Sequence, residues 1–206
     1  MDVVHGESLS DAAGFQELVD RYETWRRRWV SVTGNEPSRN APELSDGRLW
    51  FRQGYPHSDW TASLIEPSTV GYLVLSATTE RRNSPRISVE AVFSCLEDAG
   101  KHVIAFIGDM LRLECGLEPL YREWRVSGVS SALEKGAADE HVVQFIADYN
   151  GVSRDTVRRL MHRYSVKTEP ARYAYLTAAD EPTSRILTVT YAELDAMLTD
   201  GLATAI

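Results

Sequence analysis

DGRLWFRQGYPHSDWTASLIEPSTVGYLVLSA, residues 46–77, decides the fold. Residues 48–52 are short and aromatic, residues 60–65 alternate, and residues 71–77 are apolar enough for a central strand. Gly54 with Pro56, then Pro67 with Ser68, punctuate the gaps. Glycine frees φ and proline fixes it, so both interrupt regular structure. Short strands joined by short turns predict an antiparallel sheet, because parallel neighbours need a crossover of a dozen or more residues.

Upstream, residues 10–29 read as a helix with Phe15, Leu18, Val19, Tyr22 and Trp29 at helical spacing. Ser10 and Asp11 supply its start signal, and the basic run Arg26, Arg27, Arg28 suits a helix C-terminus. Residues 33–46 hold Gly34, Pro37, Asn40 and Pro42 and read as a loop. Downstream, residues 88–99 are expected to be a helix with Val89, Val92, Phe93 and Leu96 inward and Gly100 as its stop. Residues 103–107 read as a strand, and 127–137 (SGVSSALEKGA) as a link between two halves. Residues 173–177 and 186–190 look like paired strands. A last helix starts near Tyr191, where Thr190 and Glu193 have capping-box spacing, and ends at Gly201.

Residues 145–162, FIADYNGVSRDTVRRLMH, carry helix-turn-helix spacing. Ala147 is small where two helices must cross, Gly151 suits the left-handed turn, and Ser153 can cap the second helix. The two helices are expected over 139–149 and 153–164, with Arg154, Arg158, Arg159 and Arg163 facing outward. The expected fold is therefore α+β: an antiparallel sheet flanked by helices, with a helix-turn-helix-like pair in the C-terminal half. One domain spans 1–206, and any sub-division falls between 1–126 and 138–206.

The chain has 206 residues and a formal net charge of −8. That balance disfavours a dedicated nucleic-acid binder and suits a basic protein partner. Cys95 and Cys115 fit neither a zinc motif nor a disulfide framework and read as reduced thiols. The N-terminal residues do not read as a signal peptide, and no apolar run approaches the roughly 20 residues that span a bilayer. The cytoplasm is the expected location. No phosphate loop, dinucleotide fingerprint or nucleophile elbow is present. His5, His57, His102, His141 and His162 lack metal-ligand spacing. Asp139 with Glu140, and Glu193 with Asp195, point apart on a helix. No catalytic residue, metal site or cofactor is expected, although catalytic groups can also meet only in space.

Contact chemistry concentrates in WFRQGYPHSDW, residues 50–60, where Arg52, Tyr55, His57 and Trp60 surround a Gly/Pro turn. Trp, Tyr and Arg dominate binding hot spots. The competing reading makes Trp50 and Trp60 core residues of adjacent strands. A second cluster, Arg81, Arg82 and Arg86, lies in TTERRNSPR, residues 78–86.

Residues 46–77, followed by ERRNSPRISVEAVFSCLEDAGK and later by ARYAYLTAADEPTSRILTVTYAELDAMLTDGL, resemble the bacterial immunity proteins that neutralise the NAD-hydrolysing tuberculosis necrotizing toxin. The resemblance runs in order from about Asp46 to Leu202. It implies a cytosolic inhibitor that binds the toxin's catalytic domain one to one, obstructs access of NAD and catalyses nothing itself. It assigns no inhibitory residue. The alternative is a winged helix-turn-helix DNA-binding regulator, with Arg154, Arg158, Arg159 and Arg163 on or near the recognition helix and residues 173–190 as the wing. An enzyme without a recognisable motif is the third reading.

Overall fold

The computed structural model describes residues 9–79 and 85–202. Five strands follow one another as an antiparallel meander: β1 (Glu43–Ser45), β2 (Arg48–Gln53), β3 (Thr61–Ser68), β4 (Gly71–Thr78) and β5 (Arg86–Phe93). Three more, β6 (Leu133–Ala137), β7 (Met161–Val166) and β8 (Glu169–Thr177), complete one eight-stranded sheet in the order β1-β2-β3-β4-β5-β8-β7-β6.

Helices cover both faces. On the first, α1 (Leu9–Thr33) and α2 (Leu96–Glu114) set Leu18, Tyr22, Trp25, Ile104 and Leu111 against Leu49, Phe51, Ile65, Val74 and Phe93. α3 (Leu120–Ser127), a 3₁₀ helix (Glu181–Thr188) and α6 (Tyr191–Thr199) add Trp124, Ile186, Leu194 and Leu198 to that core. On the second, α4 (Glu140–Asn150) and α5 (Arg154–Leu160) bury Val142, Val143, Ile146, Ala147 and Val157 against Leu64, Leu73, Leu75 and Val92. The chain is thus α+β, with helices flanking an antiparallel sheet and a helix pair in its C-terminal half.

Several local expectations are corrected. Residues 88–99 form the end of β5 and the start of α2, because Val92 faces one core and Phe93 the other. A strand buried on both faces loses its alternation and mimics a helix. Gly100 lies inside α2, where an added Cβ would stand 2.2 Å from the Tyr191 hydroxyl and 3.1 Å from Leu18 Cδ1. It permits a close approach of helices and ends nothing. Residues 103–107 are the middle of α2, and the expected link 127–137 holds the edge strand β6. Residues 186–188 belong to the 3₁₀ helix, and β8 pairs with β7 instead. α5 ends at Leu160, so Arg163 sits on β7. The Thr190 capping box forms as its spacing predicts.

The two halves of the sheet meet at a narrow seam. β5 and β8 pair through only Val92↔Tyr175 and Phe93↔Ala174. Just beyond Phe93, Ser94 N–H donates to Tyr173 O at 2.9 Å, and Tyr173 N–H donates to Ser94 Oγ at 3.0 Å. An ion cluster follows. Arg172 of β8 grips the fully buried Asp98 of α2 with Nε at 2.8 Å and Nη2 at 2.7 Å. Lys101 Nζ, also fully buried, lies 2.6 Å from Asp98 Oδ1, 3.3 Å from Glu97 Oε1 and 2.8 Å from Val189 O. The ammonium thus has three oxygens within 3.3 Å.

Burial alone would raise the Asp98 carboxyl, but the hydrogen bonds and charges of Arg172 and Lys101 outweigh it and hold the group below the usual carboxylate range. A depressed carboxyl contributes stability above its unfolded value, about 3.9, and that contribution disappears as pH falls through the lower folded value. Asp98→Asn is expected to cost about 3–5 kcal/mol, because it strands a buried cation. Urea unfolding at pH 7 measures that loss. The gap between variant and wild type should narrow as pH drops below about 4.

Candidate functional site

Along β2, Leu49 and Phe51 enter the first core while Trp50 and Arg52 alternate to the other face. The Arg52 guanidinium lies 4.7 Å from the centroid of Trp50, 4.9 Å from Tyr55 and 5.9 Å from Trp60. Trp60 meets Trp50 and Tyr55 edge-on at 6.2 and 6.1 Å. Glu43 of β1 pairs with Arg52 Nη1. Cation–π and edge-to-face geometry thus hold three rings and one guanidinium as a unit.

The loop that carries Tyr55 is pinned from both sides. Asn40 donates through Nδ2 to Tyr55 O at 3.0 Å, and Thr79 Oγ1 donates to Ser58 O at 2.6 Å. Tyr55 is nonetheless 47% exposed. Trp50 and Trp60 are half-buried and lean on the second core, so each serves packing and surface together. His57 is exposed in the same loop. Arg86 is exposed at the same sheet end, through the register Gln53↔Thr61↔Thr78↔Arg86. Arg81 and Arg82 lie outside the described residues.

The helix pair forms as its turn residues require. Gly151 adopts φ 65° and ψ 37°, and the Ser153 side chain accepts from Thr156 N–H. α5, however, has seven residues, about 10 Å of helix. Arg158 pairs with Glu140 and Asp155, each at 2.7 Å. Arg163 stacks on Tyr173 at 4.8 Å and donates to Pro170 O at 2.8 Å. Arg154 and Arg159 remain exposed. The pair has a structural task at the seam. Asn150 accepts from Val89 N–H at 2.8 Å and donates to Val89 O at 3.2 Å, serving the backbone groups of β5 where pairing with β8 has ended.

Where the strands part, a cleft opens on the α2 face. The β4–β5 register passes from Val74↔Ala91 to Leu75↔Val89, which leaves Glu90 as the extra residue of a β-bulge. A bulge re-aims a side chain; Ser76 serves the Glu90 carboxyl as a hydrogen-bond partner, which puts it on the face covered by α2. A cavity of about 350 Å³ joins Glu90 and His102 to Phe106, Asp109, Trp124 and Asp180. A second, of about 290 Å³, continues past Ala91 and Thr177 and shares Glu90, His102 and Asp180. A third, of about 60 Å³, reaches Tyr22, Arg39 and Ser63. Glu90 as a residue is exposed, but desolvation of its carboxyl, followed by the Asp180 charge, raises it against the pull of Ser76. Burial also lowers His102. Asp109 is raised by burial against the pull of Leu120 and Tyr121 N–H, which it caps at 2.6 and 3.0 Å.

Sequence reasoning misses this cleft, since 88–99 reads as a helix and 103–107 as a strand. One signal was present: Phe106, Met110 and Leu113 stand at i, i+4 and i+7, and all three are exposed. Among the described residues no group of three His, Cys, Asp or Glu is placed to hold a metal, and no helix is long and apolar enough to cross a membrane. No protein-family model, curated protein or solved structure matches the chain.

A raised carboxyl destabilises the fold once it ionises, so its contribution falls as pH rises from the unfolded to the folded value. Glu90→Gln is therefore expected to raise the Tm at pH 7 and to leave it unchanged at pH 4. Calorimetry at both pH values checks this. His102 should titrate below about 6.5, as followed by its imidazole NMR signals.

Proposed function

We propose that the chain is an immunity protein that binds the catalytic domain of an NAD-hydrolysing toxin one to one, in the cytoplasm of the producing cell. It acts by covering the cleft through which NAD enters. The observation that carries this reading is the preformed Arg52–Trp50–Tyr55–Trp60 cluster, anchored on a sheet and presenting an exposed ring. Hot spots consist of such Trp, Tyr and Arg groups. A loop already held in its bound shape loses little entropy on association. An interface of roughly 1,600 Å² is large enough to occlude a cofactor cleft. The acidic balance of −8 favours a basic partner, and the resemblance of residues 46–202 to the immunity family points the same way.

The helix pair lends less support to DNA binding. A recognition helix needs free basic side chains. α5 is short, Arg158 is paired with carboxylates and Arg163 lies on a strand.

The purified chain is expected to suppress NAD hydrolysis by the toxin domain encoded beside it at equimolar concentration. Tyr55→Ala should weaken inhibition at least tenfold with an unchanged Tm, whereas Arg154→Ala with Arg159→Ala should leave it intact. Full NAD hydrolysis at molar excess of the chain would end this reading.

A further inference from the structure

Five features converge on the cleft at the β5–β8 seam. Glu90 and Asp180 both line it, and among the described residues neither carboxylate has a Lys, Arg or His nitrogen within 4.0 Å. Glu90 is aimed there by a bulge, at the expense of a strand pair. Among the described residues His102, which lines the cleft, has a buried Nδ1 without a hydrogen-bond partner, whereas the hydroxyl of the fully buried Tyr22, at the adjoining small cavity, has the Arg39 guanidinium as its polar neighbour. An apolar stripe leads away along α2, with Phe106, Met110 and Leu113 exposed by 48, 39 and 53%. The Arg39 guanidinium sits 4.4 Å over the Phe106 ring and lines the small adjoining cavity with Glu90 and His102.

We propose that this cleft is a docking site for a basic, apolar segment of a partner polypeptide. An arginine or lysine side chain enters between Glu90 and Asp180, and the apolar residues next to it lie along Phe106, Met110 and Leu113. The charge argument selects a cation, because the two carboxylates have hydroxyl partners, Ser76 and Thr177, but among the described residues no cation within 4.0 Å, and they outnumber the one Arg39 guanidinium nearby. A guanidinium adds donors in a fixed fork, which suits carboxylate and phenol acceptors. The stripe selects a polypeptide over a small cation. It continues for seven residues of α2 beyond Phe106, about 10 Å, and its i, i+4, i+7 spacing matches an amphipathic segment laid along it. The chemistry stands apart from the toxin reading, which would only identify the partner.

The test uses fluorescence anisotropy with three labelled peptides of equal length: amphipathic leucine/arginine, leucine/glutamine and leucine/glutamate. The leucine/arginine peptide is expected to bind saturably at one to one, and the other two at least tenfold more weakly. Glu90→Gln with Asp180→Asn should weaken the arginine peptide at least tenfold, and Phe106→Ser should do the same. Both changes in the first variant keep side-chain shape, so Tm and circular dichroism should show a folded protein. Glu134→Gln with Glu169→Gln, which removes two exposed charges on β6 and β8, should change nothing. No saturable binding, equal binding of the glutamine peptide, or an equal loss in the Glu134/Glu169 variant would overturn the proposal. None of these outcomes depends on NAD hydrolysis, so this site and the inhibitor reading fail separately.

Discussion

Lys101 is fully buried, and its charge is met by Asp98, which Arg172 grips from β8. The rest of the architecture depends on this cluster. It joins the first turn of α2 to the opposite half of the sheet and, through Val189 O, to the entrance of α6. Apolar side chains of similar volume would give comparable or better stability at such a place. Apolar packing already resists a slip, which would exchange Tyr175 and Ala174 between the two cores, and a bidentate guanidinium and a buried ammonium add the demand that their acceptors be in place. The cluster is therefore best understood as the pin that aligns two half-sheets whose own pairing covers two residues on each strand.

The seam is asymmetric, and the asymmetry makes the cleft. At one end Ser94, Tyr173, Asp98 and Arg172 bind the halves together. At the other the strands separate, and the backbone groups of the buried Val89 would be costly if left unpaired. Asn150 meets part of that need by offering its amide to Val89 as a neighbouring strand would. This role accounts for the position of the α4–α5 pair without any nucleic acid: the turn that Gly151 permits leaves Asn150, the last residue of α4, against the edge of β5. Glu90 then lies beyond the last pair, re-aimed by its bulge towards α2.

The parts of the fold that were legible in the sequence are those governed by local chemistry. The strands of residues 46–77, the turn at Gly151, the Ser153 cap and the Thr190 capping box each follow from a few adjacent residues. The Arg52 cluster was legible for the same reason: its members span eleven positions, and a hairpin brings them together. Failures came where tertiary context overrides pattern. Val92 and Phe93 face different cores, so β5 lost its alternation. Nothing between Leu160 and Met161 marks the change from helix to strand, because neither a glycine nor a proline intervenes. The cleft was out of reach in principle: Glu90, His102 and Asp180 come from a bulge, a helix and a loop, and the bulge depends on cross-strand register.

The two surfaces lie near the same end of the sheet. The register that carries Gln53, Thr61, Thr78 and Arg86 across the sheet places the Tyr55 loop at the end where β5 begins. β8 runs antiparallel to β5, so Thr177 and Asp180 lie towards that same end, where the cleft opens. One short strap connects them. Arg39 bridges to Gln53 through its backbone and covers Phe106 with its guanidinium, while Asn40 holds both Arg52 O and Tyr55 O. The cleft and the aromatic cluster thus lie on opposite faces of the sheet, and the Arg39–Asn40 strap is a short segment that touches both.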